Sequence, residues 1–265
     1  MDLHSGIPGA RLPGRSIPIV PVGVRVRLGT EPATAPQAPC DDCYVRHLCL
    51  PAGLDARSSD MLRGLRIGRK RLRKGQRLYR AGEPFVFLYA VRFGTFKSSL
   101  PLADGSEQVT GFHLAGDLMG FDGAAQGNHA TSAVALENAE ACAIPYAQLL
   151  EACADSQPLR RRVAQAMAAL LVREYSTSKL IARCYAEARV AGFLLLMSQW
   201  MQERGFSPRE FQLRMSRADI GSYLGTSLET VSRSLSLFDR LGLVHVRSRH
   251  IEVLRPDALR EHASA

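Results

Sequence analysis

The sequence predicts an α+β protein built from a small antiparallel β-barrel or jelly roll, one long helix and a C-terminal winged helix–turn–helix. Three observations carry that prediction. Residues 68–145 show short apolar alternations broken by glycine and aspartate, residues 157–186 keep an unbroken helical pattern, and residues 216–239 hold two short amphipathic segments separated by Gly225. Period-two alternation with turn residues at regular spacing specifies antiparallel strands, whereas recurrence every three to four residues specifies helix.

The bulk numbers set the frame. The chain has 265 residues, enough for two domains with real cores, and a formal net charge of +9, which suits a polyanionic partner. No stretch approaches the roughly 20 apolar residues of a membrane span, and the N-terminus has no basic region followed by an apolar run. A cytoplasmic, reducing location is therefore expected, where thiols bind metal or stay free, and structural disulfides are the less favoured alternative.

Residues 1–39 hold seven of the fourteen prolines and several glycines, a composition that resists packing and reads as a disordered leader. Val20 to Leu28 alternates like a strand but has nothing nearby to pair with. Next comes Cys40-Asp41-Asp42-Cys43-Tyr44-Val45-Arg46-His47-Leu48-Cys49, a C-x2-C-x5-C loop spanning residues 40–53. Thiolates this close can converge on one soft centre, either zinc or an iron–sulfur cluster. His47 opens a Cys3His zinc alternative, and buried, unliganded cysteines are the bland one. An all-thiolate site needs a fourth sulfur, and Cys142, Cys153 and Cys184 all remain open.

A short helix is expected over 54–66, followed by the strands of a barrel domain ending near 156. Segments such as Phe87-Leu88-Tyr89-Ala90-Val91 and Ala133-Val134-Ala135-Leu136 alternate between Gly75, Gly82, Gly94, Asp104-Gly105, Gly116 and Gly120. Over 157–186, Val163, Met167, Leu170, Glu174, Ser178 and Ile181 recur at 4-3-4-4-3 spacing with Leu171 beside them, the seam of a helix pair. In a symmetric dimer the Glu174 carboxylates would face each other and oppose burial, so either Glu174 snorkels out to solvent or the seam is a deliberately weakened one. A second amphipathic helix spans about 187–204, ended by Gly205.

Ser216-Arg217-Ala218-Asp219 reads as a capping box opening a helix with Ile220, Tyr223 and Leu224 inward; Gly225 supplies the tight turn. Thr226-Ser227-Leu228-Glu229 reads as a second box, opening a helix with Val231, Leu235 and Phe238 inward. That is helix–turn–helix syntax, and Leu243–Val246 with His250–Val253 adds a two-stranded wing. On the second helix Glu229, Ser232, Arg233 and Ser236 share the polar face. Arginine forks onto guanine and glutamate accepts from cytosine, so this face can read bases; the bland alternative is a solvated i,i+4 ion pair.

Together these parts resemble the cyclic-AMP receptor protein superfamily, and within it the oxygen-sensing fumarate and nitrate reduction branch. The resemblance is carried by Gly111-Phe112-His113-Leu114-Ala115-Gly116-Asp117, Arg204-Gly205-Phe206-Ser207-Pro208-Arg209-Glu210-Phe211 and Glu229-Thr230-Val231-Ser232-Arg233, and it covers about residues 40–255. It implies a cyclic-nucleotide-binding-like barrel, a dimerisation helix over 157–186 and a DNA-binding domain over 187–265. It also selects Cys142, in Ala141-Cys142-Ala143-Ile144-Pro145, as the fourth ligand with Cys40, Cys43 and Cys49, and makes the implied cofactor a [4Fe–4S] cluster. Cys153 and Cys184 match no ligand position. Cyclic nucleotide is not expected, because Gly116-Asp117-Leu118 and Gly127-Asn128-His129-Ala130-Thr131 lack the family's phosphate-holding Arg-Ser or Arg-Thr pair.

By the same resemblance Glu229, Ser232 and Arg233 are base-reading residues, and Leu228 stands where the cyclic-AMP receptor protein has arginine, which implies a TTGAT-like inverted repeat. Asp104, Gly105 and Ser106 match a loop that contacts RNA polymerase. Tyr44 departs from the small polar residue of the pattern and puts a ring beside the cluster. The implied function is a homodimeric, non-enzymatic regulator whose [4Fe–4S] cluster promotes dimerisation, through Met167, Leu170, Leu171, Glu174 and Ile181, and DNA binding without oxygen. The alternatives are a constitutive DNA-binding regulator with structural zinc, and an electron carrier or enzyme. Against the last stands the lack of any nucleotide loop or nucleophile–base constellation in the sequence.

Overall fold

The computed structural model describes residues 40–264, so the expectations for the leader 1–39, including the alternation at Val20–Leu28, lie outside the described residues. After the Cys loop comes α1 (Ala56–Gly64), whose N-cap Asp55 accepts from the Ser58 N–H. Eight strands follow: β1 (Gly68–Leu72), β2 (Arg77–Tyr79), β3 (Phe87–Phe93), β4 (Phe96–Pro101), β5 (Glu107–His113), β6 (Leu118–Met119), β7 (Ser132–Ala135) and β8 (Ala139–Pro145). They form two four-stranded antiparallel sheets, ordered β1-β8-β3-β6 and β2-β7-β4-β5, the jelly roll expected. Leu72, Tyr79, Tyr89, Val91, Phe96 and Met119 fill the space between them. The β3–β4 hairpin turns at Gly94, whose φ is 84° and where an added Cβ would lie 2.7 Å from the Ala139 Cβ.

Strand β8 sorts its residues by the period of two. Ala139, Ala141 and Ala143 point into the barrel, while Cys142 and Ile144 face the second apolar cluster, under the Cys loop. A helix the sequence pattern does not mark, α2 (Tyr146–Asp155), leaves β8 directly. Its N-cap is Pro145 with no side-chain cap, so it carries no start signature. Ser156 then caps α3 (Gln157–Ile181), accepting from the Leu159 N–H and sharing a 2.8 Å hydrogen bond with Ser58.

The long helix stops at Ile181 rather than running to 186. No glycine or proline occurs between 182 and 186, so the break has no local signature. It is set by the return of α4 (Ala186–Glu203): the Leu180 side chain occupies the space a Cβ on Gly192 would need, and Arg189 of α4 donates to the Arg183 carbonyl at 2.9 Å. The faces of α3 also differ from the seam expected. Leu159, Val163, Thr177 and Leu180 are buried within the protomer, and Leu170 is half-buried, whereas Met167, Leu171, Tyr175 and Ile181 are exposed. Val163 therefore belongs to the protomer's own core, and the outward stripe is Met167, Leu171, Glu174 and Ser178.

The C-terminal domain packs α4 against α5 (Arg217–Leu224), α6 (Leu228–Arg240) and α7 (Pro256–Ser264), with β9 (Glu210–Gln212), β10 (Val244–Arg247) and β11 (His250–Val253) as a sheet ordered β10-β11-β9. The wing thus has three strands instead of two. Three-residue β9 is too short to show alternation and is recruited through Phe211 opposite Ile251. Unmarked in the pattern as well, α7 seats Leu259 and Ala263 in the core shared with α4. The first capping box is complete, with Ser216 and Asp219 exchanging hydrogen bonds with each other's backbone. The second is not a box: Ser227 is the cap, accepting from the Thr230 N–H at 3.1 Å, while Thr226 belongs to the preceding turn through its N–H to the Gly221 carbonyl.

Candidate metal centre and nucleic-acid interface

The Cys loop winds through successive tight turns. The Cys43 N–H donates to the Cys40 carbonyl, Arg46 to Cys43, and Cys49 to Val45. Val45 and Leu50 are buried and pin the loop to the protein. Its thiols then meet β8: Cys40, Cys43, Cys49 and Cys142 line one small, partly open pocket of about 30 Å³, with Leu50, Leu62, Ile67 and Ile144 as its apolar wall. All six cysteines are free thiols; Cys153 is buried on α2 and Cys184 is exposed in the α3–α4 turn, and neither lines this cavity. His47 is exposed and does not line it either. Among the described residues no three His, Cys, Asp or Glu side chains are gathered as a site for a single ion.

Burial pushes the Cys49 thiol up to about 12 and Cys142 to about 11, and it raises Cys40, with the neighbouring sulfurs adding to each shift. A group that ligates these sulfurs must displace their protons and be soft enough to bind thiolate. Cations stand near to offset the resulting charge: Arg92 and Arg69 act on Cys142, and Arg46 and Arg63 on Cys40. Arg92 is itself held by buried Glu140 at 2.8 Å. The donor set, four half-buried thiols lining one pocket, fits an iron–sulfur cluster. Tyr44 is exposed beside this loop and lines a separate cleft with Phe93 and Phe206.

From α3 the Arg162 guanidinium reaches the loop, donating to the Leu48 carbonyl at 2.9 Å and to the Cys49 carbonyl at 2.9 and 3.3 Å. The Leu48 side chain rests on Gly116, where a Cβ would come within 2.7 Å of its own Cβ. Beside Gly116, Asp117 is enclosed by Arg173 at 2.9 Å, Arg204 at 2.6 Å and the Leu114 N–H. Burial pushes this carboxyl up, and the two guanidiniums outweigh it and hold the group low. Arg173 also stacks 3.9 Å from the Trp200 ring centre. Nothing in the sequence marks Arg162 or Arg173 as site residues; the run Arg160-Arg161-Arg162 inside a helix is a faint signal for the first, and the second has none. In the 127–131 segment His129 is buried, stacked on Tyr79 at 3.9 Å, and Asp122 accepts from the Ala130 and Thr131 N–H groups.

On α6 the apolar stripe Val231, Leu235 and Phe238 is buried, so Glu229, Arg233 and Ser236 are exposed on the opposite side, with Ser232 half-buried at its edge. Hydrogen bonds from its own backbone N–H and from Ser227, with Arg233 nearby, hold the Glu229 carboxyl low. Leu228 is exposed at the start of the helix. Alongside, Arg217 donates to the Ser248 carbonyl in the wing at 2.7 Å and faces Arg249, giving this surface a cationic flank. Glu174 is exposed on the outward stripe of α3, yet crowding by the helix raises its carboxyl, with Arg173 pulling the other way. Asp104, Gly105 and Ser106 form the exposed β4–β5 turn, in which Asp104 accepts from the Ser106 N–H and hydroxyl.

Comparison with known proteins places these features. A Crp-like helix-turn-helix domain model matches residues 188–262, and a cyclic nucleotide-binding domain model matches residues 69–156. The chain is 40% identical over 224 residues to the fumarate and nitrate reduction regulatory protein of Escherichia coli K12, covering 84% of this chain and 90% of that one. The Salmonella typhimurium protein of the same name is 40% identical over 220 residues, covering 83% and 88%. Among solved structures, FixK2 from Bradyrhizobium japonicum superposes with a TM-score of 0.69 at 30% identity, covering 75% of this chain and 98% of that one. A CRP-family transcriptional regulator from Thermus thermophilus, at 23% identity and a TM-score of 0.60, shares the fold over 74% of this chain and 97% of that one.

Proposed function

Since the chain belongs to the fumarate and nitrate reduction family of transcription regulators, its helix–turn–helix is a DNA-binding one, and we propose that it is an oxygen-responsive global regulator of anaerobic metabolism. The single observation that carries this reading is the meeting of Cys40, Cys43 and Cys49 with Cys142 around one small pocket, which exposed His47 does not line. An oxygen-labile [4Fe–4S] cluster bound there would supply a redox-dependent link between loop and barrel.

Every other part of the work falls to the chain itself. Cys40, Cys43, Cys49 and Cys142 would hold that group between the loop and β8. The outward stripe of α3, Met167, Leu171 and Glu174 with Leu170 and Ile181 at its border, docks on its counterpart in a second copy. Dimerisation sets two α6 helices into major grooves one turn apart, roughly 34 Å. Glu229, Ser232 and Arg233 read a TTGAT-like inverted repeat, and one base-pair-specific contact of this kind discriminates by about 1–3 kcal/mol. The Asp104-Gly105-Ser106 turn contacts RNA polymerase. With Asp117 committed to Arg173 and Arg204, and His129 packed on Tyr79, no cyclic nucleotide is needed as signal. The protein acts in the cytoplasm; no helix among the described residues is long and apolar enough to cross a membrane.

Anaerobic purification, with iron, sulfide and zinc assayed before air is admitted, tests the proposal. About four iron and four sulfide per chain are expected, with absorbance bleaching as dimer becomes monomer. Cys142→Ser should abolish iron and sulfide, and Cys153→Ser should retain both. Zinc, or no metal with an unchanged mass in air, would leave a constitutive DNA-binding regulator.

A further inference from the structure

Helix α3 touches the Cys loop and the prospective partner on opposite sides. Nine residues separate Arg162 from Leu171, and at about 100° per residue that is half a turn, so Arg162 leaves the helix directly away from the outward stripe. Eleven residues separate Arg162 from Arg173, three turns, which brings both arginines to the same side. Arg173 is fixed to Asp117 in a barrel turn that carries no cysteine. Arg162 is fixed to the Leu48 and Cys49 carbonyls, in the loop that carries three.

We propose that Arg162 is the positioning residue through which the state of the Cys loop reaches the dimer face. The inference rests on the reading of the four thiols as a cluster site. With the loop held against β8, Arg162 adds a directional anchor to the packing of Leu159 and Val163 and to the Arg173–Asp117 pair, so that Met167, Leu171 and Glu174 are presented in register to a second copy. With the loop released, Arg162 has no fixed acceptors, and the roll of the N-terminal half of the helix is left to the Ser156–Ser58 hydrogen bond and to the apolar contacts of Leu159 and Val163, which constrain direction less than a guanidinium fork does. Charge-assisted donation from a planar guanidinium to two carbonyls suits this task, because its fork constrains direction as well as distance. A lysine could serve one carbonyl at a time and transmits less of the loop's position.

The test compares wild type, R162M and R162K in the full chain, cluster-loaded and metal-free, by iron and sulfide content and by dimer dissociation constant from sedimentation. R162M should load as wild type does, yet its loaded dimer should dissociate at least tenfold more readily, while the metal-free constant stays put. R162K should recover part of the gap between the two states. Hydrogen exchange gives an independent reading: amides of Leu48–Leu50 should exchange faster in loaded R162M than in loaded wild type and at the same rate in the two metal-free proteins, with those of α6 unchanged. R162M that keeps the wild-type gap, or weakens both states equally, overturns the proposal in favour of no role or a merely structural one. A wild type without iron and sulfide overturns the cluster reading and this coupling together, whereas a loaded wild type with an unaffected R162M overturns the coupling alone.

Discussion

Lys97 of β4 and Asp219 of α5 form an ion pair of 2.5 Å across the junction between barrel and DNA-binding domain, both side chains largely shielded from water. Asp219 is at the same time the carboxylate of the capping box that starts α5, so one residue joins the helix start to the barrel. Gln108 and the Val109 N–H extend the junction to Ser222. Lys97→Met leaves the box intact and removes the interdomain bond. Urea unfolding should report a loss of about 2 kcal/mol, the usual size for a partly buried charge-assisted hydrogen bond, with α5 keeping its slow hydrogen exchange.

Glu174 should make association pH-dependent. Its carboxyl is already raised by burial on the protomer and would lose more water in a dimer. A carboxyl with a higher pKa in the dimer takes up protons on association, so dimer affinity should rise as the pH falls from neutrality toward the carboxylate range. Glu174→Gln should strengthen the dimer and flatten that slope, and Glu174→Ala should give a dimer that binds DNA in air. A Glu174→Ala protein that stays monomeric aerobically would remove the carboxylate as the gate.

His113 sets a second pH dependence, on stability. Burial, with Arg173 adding to it, pushes this imidazole down to about 4; Nε2 is 3.0 Å from the Ser98 hydroxyl and Nδ1 is buried without a partner. In the unfolded chain the group titrates near 6.5. Between those values the unfolded state binds more protons, so stability is full above about 6.5 and is lost as the pH falls toward 4, by about 3 kcal/mol. Urea midpoints of the metal-free protein from pH 7 to 4 should trace that loss, and His113→Leu should remove this component.

Arg233→Ala should relax sequence preference by about 1–3 kcal/mol at the base pair it reads. Replacing Arg217 on the cationic flank should instead weaken binding to all sequences alike and reduce the salt slope by about one. Titrations of cognate and scrambled duplexes at several salt concentrations separate the two effects.

How much was legible in the sequence depends on whether the signal was local. The capping box at Ser216 and Asp219, the apolar stripe Val231–Leu235–Phe238 and the alternation of the strands are written within a few residues each, and each forms as read. Elements held by partners left no such mark. The three residues of β9 become a strand because Phe211 meets Ile251, α2 begins without a cap, and α3 stops at Ile181 because Leu180 needs the room at Gly192.

The same division applies to the site. The sequence by itself determined the fold class, the thiol loop of Cys40, Cys43 and Cys49, and the polar face of α6, because periodicity and spacing along the chain encode them. Bringing Cys142 under that loop required the pleat of β8, which turns it away from the barrel interior while Ala141 and Ala143 face in. The placement of Arg162 on the Leu48 and Cys49 carbonyls, and of Val163 inward and Leu171 outward on α3, was likewise decided only by the tertiary structure. A heptad-like run shows that a helix has an apolar side, but a helix packed on its own barrel has two, and only packing assigns which of them is left for a partner.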